Sequence, residues 1–291
     1  MKLITWNIQW GRGADGRVDL DRIVMHAKRL ADFDILCLQE VCDKFPELPG
    51  CDGSNQFDAL AARLPGFEAV AAVATDSPHP GGGRRRFGNM IFSRLPVGPV
   101  RPHLLPWPPD AAVPSMQRVA LEATLTTPLG PVRVTTTHLE YYSFRQRKEQ
   151  VEAIRCLHRE SVAHAAAARP GSAAEGPFEY VPRGGPAILA GDFNFEPPSA
   201  ERTSLMAPFD DGTPAYCDAW HLSNPGVAHA PTVGVHDKQQ WPGPPFTWDF
   251  VFVSADIASR VVSLQVDQTS DASDHQPLLL ELDDRPYNMA R

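Results

Sequence analysis

The sequence predicts an α/β fold, in which short apolar strands alternate with amphipathic helices. Residues 2–8 and 34–41 have the composition of strands, and between them Asp19 precedes apolar residues spaced at the 3.6-residue period of a helix. In residues 186–195, small and branched apolar residues run into a glycine and then into polar side chains, as in a buried strand with a polar end. A hydrophobic content of 43% is ample for a core.

Length, charge and cysteine content narrow the class of protein. At 291 residues the chain is long enough for about two domains, and we expect one large domain over 1–291. A net charge of −8 provides no field that attracts a polyanion, so we expect no stable duplex nucleic-acid partner. The five cysteines lack metal-site spacing, which favours reduced thiols. The absence of a signal-like start or a long apolar run predicts a cytoplasmic protein without a membrane span, and we expect a monomer.

The first two strands each carry a polar side chain near their end. Asn7 lies near the exit of its strand, where an asparagine most often caps a turn. Glu40 shares a strand face with Leu36 and Leu38, and a carboxylate in line with core leucines is costly unless it is exposed or paired with a cation. Glu40 is therefore either a surface strand end or a metal ligand.

The next region is predicted as a short helix, two strands and two loops. Ser54 caps the helix, residues 67–73 and 88–93 form the strands, and loop-rich insertions lie near 75–87 and 96–116. The first insertion contains Arg84, Arg85 and Arg86, which either receive a phosphate-bearing substrate at the rim of a site or are merely solvated.

The middle of the chain predicts a hairpin followed by a long helix. The hairpin joins alternating runs at 117–126 and 131–140, and His138 lies on the core side near the end of the second run. A lone histidine at such a position is usually a hydrogen-bonded structural residue. An amphipathic helix over about 144–168 follows, and after it a loop-rich insertion near 169–185.

The second half of the chain carries acids at the ends of several strands. Its predicted elements are strands at 186–195, 246–254, 261–266 and 278–282, a short helix at 199–206 and a loop-rich insertion near 208–245. Asp192 and Asn194 share a strand face, where they either close a turn or act together on a water and a phosphoryl oxygen. Asp249 lies near the start of one strand, and Asp274 and His275 precede the last.

Four carboxylates are thus predicted at strand ends, namely Glu40, Asp192, Asp249 and Asp274. Hard oxygen ligands without a cysteine or histidine cluster suit Mg²⁺ or Mn²⁺ better than zinc. Such an ion neutralises charge on a phosphoryl group while the protein positions the attacking water. The residues alone therefore favour a divalent-metal site that acts on a phosphoester.

The polar residues described above fall within six short motifs. These are Thr5-Trp6-Asn7-Ile8, Leu38-Gln39-Glu40-Val41, Thr137-His138-Leu139, Gly191-Asp192-Phe193-Asn194, Trp248-Asp249-Phe250-Val251-Phe252-Val253-Ser254 and Ser273-Asp274-His275. In this order they resemble the endonuclease/exonuclease/phosphatase superfamily, with its DNase I-like fold, from residue 2 to about 282. The resemblance implies a four-layer α/β sandwich, with two mostly antiparallel β-sheets packed face to face, helices outside and the site at one edge.

The resemblance also implies how a metal and a water would be held. Glu40 would be the main metal ligand, and Asp274 and Asn7 would complete or support the metal shell. Asp192 would position or deprotonate the nucleophilic water. We favour Asp192 over the histidines as the base, because a histidine paired with a carboxylate tends to stay protonated.

The remaining motif residues are implied to contact the phosphate. Asn194 would hold a phosphoryl oxygen, and Asn7 and His138 would also lie at the phosphate. His275, oriented by Asp249, would stabilise the transition state or exchange a proton.

The implied activity is hydrolysis of a phosphodiester by in-line water attack, with a small molecule, a lipid headgroup or a nucleic acid as the substrate. The branch of abasic-site repair enzymes has a Tyr-x-Pro-Asn-like segment where this chain has residues 137–142, which argues against that branch. Two alternatives stay open. One is a DNA or RNA nuclease, suggested by Arg84 to Arg86 and Trp107, and the other is a non-catalytic binding module on the same fold.

Overall fold

The computed structural model describes residues 1–167 and 176–285, within which twelve strands and five α-helices follow one another. The strands are β1 (Lys2–Asn7), β2 (Ile35–Asp43), β3 (Glu68–Pro78), β4 (Arg84–Ser93), β5 (Val97–Leu104), β6 (Val119–Thr127), β7 (Gly130–His138), β8 (Ala187–Asp192), β9 (Tyr216–Asp218), β10 (Asp249–Ser254), β11 (Val261–Val266) and β12 (Leu278–Leu282). The helices are α1 (Leu20–Leu30), α2 (Gln56–Arg63), α3 (Phe144–Ala166), α4 (Ala200–Met206) and α5 (Ala219–Ser223).

The strands form two six-stranded sheets. The first has the order β11-β12-β1-β2-β4-β3, and the second has the order β5-β6-β7-β8-β10-β9. In the centre of each sheet one pair is parallel, β1 with β2 and β7 with β8, and the other strand pairs described are antiparallel. The prediction of two mostly antiparallel sheets is confirmed.

Alternating side chains divide the core into layers, because successive residues of a strand point to opposite faces. Leu3 of β1 packs between the sheets in one cluster with Leu121 of β6. The next residue, Ile4, points the other way and packs in a second cluster with Ile23 of α1. A third cluster, on the outer face of the second sheet, includes Ile154 of α3. Each fully buried side chain of this kind stabilises the fold by about 1.5–3 kcal/mol, and the layers confirm the predicted α/β sandwich.

Side-chain caps determine where the helices begin. The carboxylate of Asp19 accepts a hydrogen bond from a backbone N–H of the first turn of α1, as predicted. For α2 the prediction of Ser54 as the cap was wrong by one residue. Asn55 accepts from the backbone nitrogens of Phe57 and Asp58, while the backbone N–H of Ser54 is turned to Asp52.

Parts of β3 and β4, and all of β5, lie within two of the predicted insertions. The segment 75–87 is mostly strand, because β3 and β4 form a hairpin whose connection is only 79–83. The segment 96–116 contains β5, although two prolines, Pro99 and Pro102, lie in that strand. Proline is tolerated there because β5 lies at the edge of its sheet, where one row of backbone groups needs no partner. The prediction of loops was wrong at both places because local composition does not reveal edge pairing.

The other two predicted insertions are the segment 208–245 and the segment near 169–185. The segment 208–245 is loop-rich as predicted, with only β9 and α5 in it. The insertion near 169–185 lies partly outside the described residues, which resume at 176. None of the helices among the described residues combines the length and hydrophobicity that crossing a membrane requires.

Candidate active site

The eight predicted site residues meet at one edge of the two sheets. Six of them line a cavity of about 320 Å³, namely Glu40, His138, Asp192, Asn194, Asp274 and His275. The other two, Asn7 and Asp249, lie directly behind this wall and are hydrogen-bonded to residues that form it. Residues far apart in the sequence therefore come together here because the strands that carry them end at the same edge.

The backbone bends at Glu40, and this bend directs its carboxylate to the cavity. The register between β2 and β4 shifts between Leu38 and Val41, which is a β-bulge, and Glu40 has a φ of 61°. A non-glycine residue in this left-handed region costs about 1–3 kcal/mol, and such strain is concentrated at functional sites. The Glu40 side chain is only 17% exposed. Its burial, together with the nearby charge of Asp274, raises its pKa.

Asn7 connects two carboxylates of the site. Its Nδ2 lies 2.9 Å from Glu40 Oε1 and 3.0 Å from Asp192 Oδ2. Its Oδ1 accepts a hydrogen bond from the backbone N–H of Gln9 at 3.0 Å. In this orientation Asn7 presents its amide nitrogen, not its oxygen, to the carboxylates. The arrangement supports a role in holding Glu40 and Asp192 in place, and direct metal ligation by Asn7 requires its amide to turn over.

Asp192 is a buried carboxylate at the end of β8, only 1% exposed. The backbone there is special, because Gly191 has a φ of 144° and a Cβ at this position would lie 2.0 Å from the carbonyl oxygen of Thr137. The Asp192 Oδ1 accepts from the backbone N–H of Asn194 at 2.9 Å. Burial and the neighbouring charge of Asp249 raise the pKa of Asp192 to about 7, against the opposing effect of His275. A carboxylate tuned in this way can accept a proton near neutral pH.

His275 is held as a cation between two carboxylates. Its Nδ1 lies 2.8 Å from Asp249 Oδ2, and its Nε2 lies 3.7 Å from Asp192 Oδ2. The Thr232 hydroxyl donates to the same Asp249 oxygen at 2.6 Å and fixes that carboxylate. Burial alone would lower the pKa of His275, but the charges of Asp249, Asp274 and Asp192 outweigh it and raise the pKa well above its usual value.

His138 is the opposite case and is held neutral. Its Nε2 lies 3.4 Å from Asp192 Oδ2, and its Nδ1 lies 3.8 Å from Glu40 Oε1. Burial and the positive charges of Arg118 and His275 lower its pKa well below the usual value. Asp192 is therefore flanked by one charged and one neutral imidazole, an arrangement in which proton donor and proton acceptor are kept distinct.

The side chains of Asp274 and Asn194 each form hydrogen bonds within the protein. Asp274 Oδ2 accepts from Gln240 Nε2 and Trp241 Nε1, each at 3.0 Å. Asn194 has a φ of 51°, and its Nδ2 donates to the backbone oxygen of Leu139 at 2.9 Å. The amide of Asn194 thus anchors a neighbouring chain segment with one N–H and has a second N–H for a phosphoryl oxygen.

Sequence reasoning missed two groups that support the acids. Gln240 and Trp241, which hold Asp274, lie in the loop-rich segment 208–245 and gave no periodic signal. Arg118 lines the cavity, and its Nε donates to Glu140 at 3.1 Å in a pair that is almost fully buried. The only signal for Arg118 is a basic residue at the head of a predicted strand, which by itself indicates nothing about a site.

Sequence reasoning also missed a set of rings that we term the aromatic wall, formed by Tyr141, Tyr142, Trp241 and Trp248. All four line the cavity. The ring centroids of Tyr141 and Tyr142 are 4.5 Å apart, those of Tyr141 and Trp248 are 5.3 Å apart, and those of Trp241 and Trp248 are 5.4 Å apart. Tyr142 is 57% exposed. An exposed aromatic surface beside a polar cavity is suited to contact the organic part of a ligand.

The basic run is not a free phosphate-binding surface. Arg84 pairs with Asp76, Arg85 with Glu47 and Arg86 with Asp43. Trp107 donates to the hydroxyl of Ser115 and is absent from the cavity lining. The two sequence features that suggested a nuclease are therefore engaged elsewhere.

The acidic groups of the site fit a hard divalent cation. Glu40 and Asp274 lie close enough that the charge of Asp274 raises the pKa of Glu40, a repulsion that a cation between them would relieve. Among the described residues, the ligand atoms of Asp192, Asp249 and His275 all lie within 4.8 Å of one another and form a possible metal-binding cluster. In that cluster, however, the contact between His275 and Asp249 already has the geometry of a charged hydrogen bond.

Comparison with known proteins identifies a family and a fold. A model described as the Endonuclease/Exonuclease/phosphatase family matches residues 4–275. No curated protein sequence matches the chain. A solved endonuclease/exonuclease/phosphatase from Beutenbergia cavernae DSM 12333 is similar, at 26% identity and a TM-score of 0.66, over 96% of this chain and 70% of that one.

Two further solved structures show the same fold at lower identity. A mannosyl-6-phosphatase from Bacteroides thetaiotaomicron VPI-5482 has 16% identity and a TM-score of 0.65, over 97% of this chain and 99% of that one. A 3'-5' exonuclease from Neisseria meningitidis has 21% identity and a TM-score of 0.61, over 97% of this chain and 100% of that one. At this level of identity the two similarities concern the fold alone.

Proposed function

The chain belongs to the endonuclease/exonuclease/phosphatase family, and we propose that it is a Mg²⁺- or Mn²⁺-dependent phosphoesterase that hydrolyses a phosphodiester by in-line attack of water. The observation that carries this proposal is the environment of Asp192. This buried carboxylate lies between a charged imidazole, His275, and a neutral one, His138, at the wall of a cavity that Glu40 and Asp274 also line.

Glu40 and Asp274 are the residues we assign to the metal, with Asn7 supporting them. A bound Mg²⁺ or Mn²⁺ ion would supply charge neutralisation at the phosphoryl group. Asn7 holds Glu40 in place through its Nδ2, and Gln240 and Trp241 hold Asp274 through their N–H groups. Hydrogen bonds of this kind, from residues that do not themselves bind the metal, orient metal ligands.

Asp192 is the group we assign to the attacking water. Its pKa, raised to about 7 by burial, matches the requirement that a general base be unprotonated and yet basic near neutral pH. Asn7 donates to its Oδ2 and the backbone N–H of Asn194 donates to its Oδ1, so the carboxylate is fixed in orientation. It can therefore orient a water and accept its proton.

The histidines and Asn194 are assigned to the phosphate. His275 carries a positive charge maintained by Asp249, so it can stabilise charge that develops on the phosphoryl oxygens or donate a proton to the leaving group. Because its pKa is lowered well below the usual value, His138 is a weak base and can contact the phosphate without taking the proton of the water. Asn194 has a free N–H for a phosphoryl oxygen.

The aromatic wall supports an organic ester as the substrate. Tyr141 and Tyr142 present ring surface next to the charged groups, where the group esterified to the phosphate would lie. A small molecule, a lipid headgroup or a nucleic-acid end would each offer such a group. The nuclease alternative is the weaker one, because Arg84 to Arg86 are paired with acids.

The proposal is tested by hydrolysis of bis-p-nitrophenyl phosphate with Mg²⁺ or Mn²⁺. We expect metal-dependent turnover in the wild type and a loss of at least about 100-fold in Asp192→Asn and in His275→Ala. Asp210→Asn and His164→Ala are matched controls, because both residues are exposed, and they should retain wild-type rates. Retained activity in the two site variants would contradict the assigned roles. Absence of metal binding by calorimetry would favour a non-catalytic binding module.

A further inference from the structure

Two cysteine thiols lie close together outside the cavity. Cys42, near the end of β2, and Cys51, in the following loop, have Sγ atoms 3.6 Å apart. Both are free in this structure, and both are buried, Cys42 completely and Cys51 with 9% of its surface exposed. Neither belongs to the site described above.

The segment that carries Cys51 has no regular secondary structure, so a cross-link would restrain it. Residues 44–55 contain neither helix nor strand. The segment contacts the cavity wall through Trp10, whose Nε1 donates to the backbone oxygen of Pro49 at 3.1 Å. Trp10 has a φ of 45° and accepts at its own backbone oxygen from Gln56 Nε2. The segment therefore braces one lining residue of the cavity.

We propose that Cys42 and Cys51 form a reversible disulfide, a redox-sensitive site that takes a low-molecular-weight disulfide as its oxidant. The remaining gap between the sulfur atoms can be closed by side-chain rotation and a small shift of the loop, since no strand pairing holds residues 44–55. The other three cysteines lie elsewhere in the fold: Cys37 is buried in the core between the sheets, Cys217 is partly buried on β9, and Cys156 is exposed on α3.

The two cysteines have different parts in the exchange. Cys51 is the more accessible of the two thiols, and a hydrogen bond from the Cys42 thiol to its sulfur favours its thiolate form. The Cys51 thiolate attacks the small disulfide, breaks its S–S bond and releases one small thiol. Cys42 then attacks the mixed disulfide at the Cys51 sulfur and releases the second small thiol. In total, two protein thiols are oxidised and one small disulfide is reduced to two thiols.

Oxidation should make the loop less mobile without adding any contact to the catalytic groups. A bridge between Cys42 and Cys51 closes a short loop and restricts the unfolded chain. We therefore expect a higher midpoint of thermal unfolding in the oxidised protein and slower hydrogen exchange in residues 44–55. The effect is reversed by dithiothreitol. This inference is independent of the proposed function, because it concerns thiols and not turnover.

The test is incubation of the folded full chain with glutathione disulfide, followed by thiol titration in denaturant and peptide mapping. We expect the number of free thiols to fall by two, from the five of the sequence, with a mapped Cys42–Cys51 peptide and recovery on reduction. Cys51→Ser should form no internal cross-link. Cys156→Ser, the matched control at an exposed cysteine, should still form it.

Three outcomes would overturn the proposal. They are five titratable thiols after incubation, a stable mixed disulfide with glutathione in place of the internal bridge, or a cross-link that forms only after denaturation. Because Cys42 is fully buried, Cys42→Ser is less informative if it folds poorly, and Cys51→Ser is the decisive variant. If oxidation leaves hydrogen exchange in residues 44–55 unchanged, the predicted loss of loop mobility is wrong.

Discussion

Replacing Asp249 with asparagine tests whether a carboxylate maintains the charge of His275. The His275 Nδ1 lies 2.8 Å from Asp249 Oδ2, and both side chains are buried. A hydrogen bond to a charged group contributes about 1.5–3 kcal/mol. One pKa unit corresponds to about 1.4 kcal/mol, so Asp249→Asn should lower the pKa of His275 by roughly one to two units.

The sign of the pH effect follows from the role of the cation. In the proposed mechanism His275 acts in its protonated form, and its raised pKa keeps it protonated through neutral pH. A lower pKa therefore moves the alkaline limb of the pH–rate profile to lower pH by roughly one to two units. Above the pKa of His275 in the wild type, the variant should be about 10- to 100-fold slower than the wild type, whereas below the pKa of His275 in the variant the two rates should be similar.

The assay is the initial rate of bis-p-nitrophenyl phosphate hydrolysis as a function of pH, at saturating Mn²⁺. Asp256→Asn is the matched control, since Asp256 is exposed and lies outside the cavity, and its profile should match the wild type. Thermal unfolding should first establish that Asp249→Asn is folded. An unchanged alkaline limb in a folded variant would refute the pairing of Asp249 and His275 as the source of the charge.

Three further predictions concern metal binding and stability. Gln240→Ala removes a hydrogen bond to Asp274 and should weaken Mn²⁺ binding by about 10-fold in calorimetry, while Gln265→Ala, at an exposed site, should not. Gly191→Ala should lower the free energy of unfolding in urea by more than about 3 kcal/mol, because its Cβ would strike a backbone oxygen, whereas Gly226→Ala, with open space around it, should lose only about 1 kcal/mol. Burial and the charge of a neighbouring arginine lower the pKa of His158 to about 4, so the folded state favours the neutral imidazole. The stability that His158 contributes is therefore present above pH 6.5 and is lost as the pH falls towards 4. His158→Gln should remove about 3 kcal/mol of this pH dependence, measured by urea unfolding at several pH values.

The parts of the fold that depend on local pattern could be read from the sequence. The strand around Asp192 and the helix capped by Asp19 have the periodicity and the turn chemistry that define such elements. The edge strand β5 could not be predicted from the sequence, because Pro99 and Pro102 are typical of a loop. The two prolines are compatible with a strand only because β5 lies at the edge of its sheet.

The acids were singled out in the sequence because each lies at the end of an apolar run. The resemblance to a family then gave each acid an expected role. Their electrostatic states could not be predicted in the same way. His138 and His275 look alike in the sequence, yet one is held neutral and the other charged, which depends on Arg118 and Asp249 packed beside them. The partners of Asp274 lie in a loop segment, where no periodicity marks them.

A crystal structure of the protein soaked with Mn²⁺, with anomalous differences measured, tests the central assignment most directly. The assignment predicts one strong anomalous peak at coordinating distance, about 2.2 Å, from a carboxylate oxygen of Glu40, with Asp274 facing the ion either directly or through a water. A peak between Asp192, Asp249 and His275, or no peak at this edge of the sheets, would contradict it.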